Sequence, residues 1–217
     1  MERIIPIVLL SNLIFFFILF FACIVSGLVG FGCNILALPF LSLFFDMKLV
    51  VPVLVLAVLC NGFPRLLTQY TQVSVSVYLQ MLFPSILGGF LGMHLSNFLP
   101  ELFLKFTLAL FLFFFAVKGL LSQKNLFCFK TSSKRNPIFL LLPFFGGILQ
   151  AAFACGGPLF NLYILQTLHQ KEQIRATMFA IGSTSAALIA LQDFQKNVYH
   201  GQTLSFVTLL LPAVFLA

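Results

Sequence analysis

Two stretches of this chain put hydrogen-bonding groups where a lipid-facing helix has no use for them: SGLVGFGCNILALP at 26–39 and FACGGPLFNLYI at 153–164. The first holds Gly30, Gly32, Cys33 and Asn34, and the second holds Gly156, Gly157, Pro158 and Asn161. Glycine lets the backbone itself approach a ligand and accepts positive φ. A helix that restarts after such a run, at Asn34 in one case and at Pro158 in the other, presents unpaired N–H groups and the positive end of its dipole. Pro158 suits a first turn, where its missing N–H costs nothing. The chemistry on offer is therefore non-covalent binding of an anion. Asn34 and Asn161 add amide donors beside the breaks, Asn61 follows at the end of the next helix, and Ser183 and Thr184 of GSTS stand at the corresponding level later on. Arg65 and Arg175 lie near helix ends, where snorkelling to the headgroups competes with drawing in an anion.

Covalent chemistry has no basis in these residues. The sequence contains no HExxH, no GxSxG and no pair of acids inside an apolar segment, since Glu2, Asp46, Glu101, Glu172 and Asp193 all fall near predicted helix ends or links. Five cysteines show neither CxxC nor Cys/His spacing, so no metal, disulfide framework or other cofactor is implied. The chain is not read as an enzyme. The plainest competing reading of the glycines is close helix packing, for which membrane helices favour small residues.

The elements that must position these groups follow from composition. Of 217 residues 61% are hydrophobic and 8% are charged, against about 25% charged in an ordinary soluble domain. Such a chain cannot cover a water-facing surface, and its repeated apolar runs are long enough for the ~30 Å hydrocarbon layer. The fold class is thus an all-α polytopic membrane protein. Helices are expected over about 7–26, 35–45, 49–66, 77–97, 101–122, 137–153, 159–168 and 173–191, and from about 202 onward, which gives roughly seven to eight crossings. The net charge of +7 does not point to nucleic acid, because Lys124, Lys130, Lys134 and Arg135 cluster in one polar connector. They read as a positive-inside anchor that leaves residues 123–136 in the cytoplasm.

The pattern occurs twice. A shift of 124 residues without gaps lays FGCNILALPFLSLFFDMKLVVP (31–52) over CGGPLFNLYILQTLHQKEQIRA (155–176), with Gly32 on Gly156, Leu38 on Leu162 and Leu41 on Leu165. Long helix, Gly-rich break, short apolar piece, polar link and next helix recur in that order. In hydrocarbon an unpaired backbone group costs several kcal/mol, so a break survives only where protein or a watery cavity satisfies it. Two corresponding interrupted segments are the sequence mark of a transporter's binding site. The expected organisation is a first repeat at 1–122, the connector at 123–136 and a second repeat at 137–217. A counterpart of helix 101–122 would fall at about 225–246, beyond Ala217, so the second repeat is expected to be incomplete. Whether the repeats are inverted or parallel stays open at this stage.

SGLVGFGCNILALPFL and LQAAFACGGPLFNLYIL, each followed by a short polar link and a further helix, resemble the two repeats of the sulfite exporter TauE/SafE family of membrane permeases. That family shows a GxGGG-like run in the first repeat and GxGGP in the second. Here the first reads GFGCN, with Cys33 and Asn34 in place of glycines, and the second reads ACGGP, without the leading glycine. The resemblance implies a bacterial inner-membrane secondary transporter that moves sulfite, sulfonates or related sulfur-containing organic anions by alternating access. The partners expected are a small anionic substrate and the bilayer, with self-association left open. A non-transporting membrane assembly module and an anion channel are the competing readings.

Overall fold

The computed structural model describes residues 4–29, 33–122, 137–196 and 198–199. Gly30 and Gly32, the basic connector 123–136 and the helix expected from 202 onward lie outside the described residues. Among the described residues the chain is helical, without strands: α1 (Ile4–Val29), α2 (Cys33–Phe44), α3 (Met47–Gln69), α4 (Val75–Phe98), α5 (Glu101–Ser122), α6 (Leu141–Phe153), α7 (Gly157–Thr167) and α8 (Lys171–Gln195). Short 3-10 turns at Tyr70–Gln72 and Pro137–Leu140 follow α3 and precede α6.

Length sorts these helices. Met47–Gln72, Val75–Ser96 and Lys171–Gln195 are long and apolar enough to cross a membrane by length and composition. At about 1.5 Å per residue, the 12 residues of α2 and the 11 of α7 reach less than about 20 Å. One face of each short helix packs into an apolar cluster. Ala37, Leu38 and Leu41 of α2 pack with Phe15, Leu19 and Cys23 of α1 and with Val50, Val53 and Leu54 of α3. Phe160 and Ile164 of α7 pack with Val77 and Met81 of α4 and Ile181 of α8. Phe17, Phe40, Phe83, Phe106 and Phe113 point outward instead. In water such an array would be costly, whereas acyl chains accept it without penalty.

Small residues bring two pairs of helices together. A Cβ added to Gly88 or Gly92 of α4 would strike the backbone of Phe144 or Ile148 in α6, and one added to Gly147 of α6 would strike Ser85 O. These contacts run backbone against backbone, as a Gly-x-x-x-Gly face allows. The α3–α8 crossing is looser, with Gly62 seated on the Ser183 side chain and Arg65 lying over the Phe179 ring, 5.6 Å from its centroid.

Where both members of a pair are described, the spacing is close to the shift that aligns the two sequence segments: α3 begins at Met47 and α8 at Lys171, 124 residues apart, and α2 ends at Phe44 and α7 at Thr167, 123 apart.

Candidate functional site

The α6–α7 break is built on a residue in an unusual conformation. Ala154 has φ 53° and ψ 24°, the left-handed region that favours glycine. Its N–H donates to Gln150 O at 2.9 Å and the Cys155 N–H to Leu149 O at 3.3 Å, which closes the end of α6. The Gln150 side chain then crosses the break, its Oε1 accepting the Gly156 N–H at 2.9 Å. Gly156 has no room for a side chain, because a Cβ there would meet Gly146 O, Gln150 Cβ and the Phe160 ring. Pro158 stands buried in the first turn of α7.

Asn34 ties the first turn of α2 to this break. Its Nδ2 donates to Ala154 O at 2.8 Å and to Leu54 O of α3 at 3.1 Å. Both amide hydrogens are thereby used, so the expected amide donor for an anion is already committed within the protein. What Asn34 keeps unpaired is the buried acceptor Oδ1. Beside it, Cys33 Sγ lies 3.2 Å from Cys23 Sγ of α1, both as free thiols.

A cavity of about 90 Å³ opens between the first turn of α2 and the α6–α7 break. Cys33, Asn34 and Ile35 from the first turn of α2 and Gly157 from the start of α7 line it, so the positive ends of both short helices converge there. Asn61 and Gly62 of α3, Gln150 of α6, and Gly182 and Ser183 of α8 complete much of the wall. Among the described residues no Lys, Arg, His, Asp or Glu lines it. Among its wall residues, Gln150 Nε2 and Ser183 Oγ are buried without a hydrogen-bond partner.

The structure thus brings Cys33, Asn34, Asn61, Gly157 and Ser183 to one place. Gly156 and Pro158 stand just outside it as the corner that turns the chain. Asn161 lies half-buried farther along α7, away from the cavity wall. Thr184 turns back into its own helix, its hydroxyl donating to Ala180 O at 2.8 Å. Arg65 stacks on Phe179, a residue of the wall, and Arg175 is exposed. Sequence reasoning passed over Gln150. The signal was a lone amide side chain four residues ahead of ACGGP inside an apolar run, where burial without a partner would be costly.

Apolar side chains that face outward, two short helices each packed along one face, and a small cavity lined by their first turns make up an all-helical membrane protein. The family comparison is specific. The model of the family described as sulfite exporter TauE/SafE matches residues 15–217. The chain belongs to that family. No curated protein and no solved structure matches the chain.

Proposed function

We propose that the protein is a multi-pass transporter of the bacterial inner membrane that carries small oxyanions of sulfur, sulfite or sulfonates, by alternating access. The two broken segments are half-sites of two homologous repeats, a relation supported by the 124-residue sequence shift and by the starts of α3 at Met47 and α8 at Lys171 at the same spacing. The observation that carries the reading is the convergence of the α2 and α7 N-termini on one cavity whose wall includes a buried, unpaired amide donor, Gln150 Nε2. Each helix end contributes roughly half a positive elementary charge, so the pair offsets about one negative charge without any cationic side chain. No nucleophile and no base is needed for such a task. The halves rock around the held anion, and no covalent intermediate forms.

Uptake of labelled sulfite and of a labelled sulfonate into vesicles containing the purified full chain tests this directly. Saturable flux of either anion is expected. A flux that never saturates would favour a channel, and none at all would favour a membrane assembly module whose glycines serve only packing.

A further inference from the structure

The polar groups left unpaired at the cavity wall are not all of one kind, and this difference specifies the ligand more closely. Gln150 Oε1 is fixed as the acceptor of the Gly156 N–H, so the atom it leaves over is the donor Nε2. Asn34 Nδ2 is fixed by two carbonyl acceptors, so the atom it leaves over is the acceptor Oδ1. Neither amide can be flipped without setting like against like. A fully deprotonated oxyanion accepts hydrogen bonds and gives none. It satisfies Gln150 and leaves Asn34 Oδ1 stranded, which a buried acceptor does not tolerate well.

Charge points the same way. With no cationic side chain on the wall among the described residues, two helix ends offset about one negative charge. A dianion carries about four times the solvation cost of a monoanion of similar size, since that cost scales as charge squared. We propose, resting on the transport reading above, that the cavity takes a singly charged oxyanion bearing one O–H. Among sulfur anions this is hydrogen sulfite, with its S–O⁻ oxygens toward Gln150 Nε2 and the helix ends and its O–H toward Asn34 Oδ1. Sulfite dianion fails on charge and on the missing O–H. An organic sulfonate has the right charge and lacks the O–H.

The ionisable groups around Asn34 are few. Cys23 of α1 faces Cys33 of α2, Cys155 lies in the α6–α7 break, Cys60 and Arg65 belong to α3, and no ionisable residue of α7 or α8 lines the cavity. Ionisation of a thiol would weaken every anion alike, which supplies the control.

Initial rates of labelled sulfite uptake by the full chain in vesicles are measured across the second ionisation of sulfurous acid, with methanesulfonate as a competitor that does not titrate. The expected KM, expressed as total sulfite, rises about tenfold for each pH unit above that ionisation and is constant when expressed as hydrogen sulfite. Methanesulfonate is expected to compete at least about tenfold more weakly than hydrogen sulfite, with an inhibition constant that does not move with pH. A KM in total sulfite that is flat or falls with rising pH overturns the inference, as does methanesulfonate competing equally well. A parallel weakening of methanesulfonate also overturns it, because the protein and not the substrate is then titrating. Absence of saturable sulfite flux at every pH overturns the transport reading itself.

Discussion

The Asn34 side chain donates to the carbonyl of Ala154 at 2.8 Å, across 120 residues of sequence. In an uninterrupted helix that carbonyl would be served by the N–H four residues on. Here the fourth residue on is Pro158, which has no N–H to give. An amide from the first break therefore does what the second break's own backbone cannot. This gives Asn34, at a position where the family's first repeat usually has glycine, a structural task as well as a place on the cavity wall.

Replacement of Asn34 by leucine should destabilise the protein by about 1–3 kcal/mol, the cost of a buried group left unpaired. The loss falls on Ala154 O more than on Leu54 O, because Leu54 lies inside α3 and its carbonyl keeps a helical partner. Thermal unfolding of the detergent-solubilised protein reads the effect. An unchanged midpoint would mean that water replaces the amide at no cost.

Gln150 separates two tasks of one side chain. Gln150→Glu keeps an oxygen for the Gly156 N–H but removes the Nε2 donor and places negative charge in the wall. Folding should survive while sulfite kcat/KM falls about a hundredfold or more, corresponding to about 2.7 kcal/mol or more. Gln150→Leu removes the acceptor as well and should lower stability by about 1–3 kcal/mol. Flux and thermal midpoint, measured on both variants, distinguish the roles; equal flux in Gln150→Glu and the parent would remove Gln150 from the site.

Glycines of the two classes should respond oppositely. A Cβ at Gly156 meets a backbone carbonyl, so Gly156→Val should fail to fold into a stable bundle, and loss of flux in that variant says little about binding. Gly182 lines the cavity, and the nearest atom to a Cβ there is Val58 Cγ1 at 3.9 Å. Gly182→Ala should fold with its midpoint within about 1 kcal/mol of the parent. A methyl group in a cavity of about 90 Å³ should nevertheless raise the KM for sulfite several-fold. Thermal unfolding and vesicle uptake on the same preparations check both halves of this contrast.

The helices themselves were legible from apolar run lengths and glycine punctuation, because length, Gly and Pro act locally. The stretch expected from 101 is α5, which begins at Glu101, and the short pieces expected at 35–45 and 159–168 are α2 and α7 within about two residues. The cavity wall was legible where it lies beside the breaks, as for Cys33, Asn34 and Gly157. It was not legible where it depends on rotation about a helix or on a distant partner. Ser183 and Thr184 are neighbours in sequence, yet about 100° of helical turn sends one hydroxyl to the cavity wall and the other to Ala180 O. Gln150 gave no pattern, because its partner is set by the left-handed turn at Ala154, and alanine does not announce such a turn.

That turn supports one more test. An alanine held at φ 53° sits about 1–2 kcal/mol above its preferred conformations, and glycine removes this strain. Glycine also gains freedom in the unfolded chain, which gives back about 0.4–1 kcal/mol. Ala154→Gly should therefore raise stability by up to about 1.6 kcal/mol, read as a modest rise in the thermal midpoint. The carbonyl that Asn34 holds is a backbone group, so the substitution leaves that bond and the Gln150–Gly156 bond in place. Sulfite flux should then match the parent. A more stable variant with slower flux would show instead that the strain at Ala154 is released during the transport cycle, and that the α6–α7 corner is the part that moves.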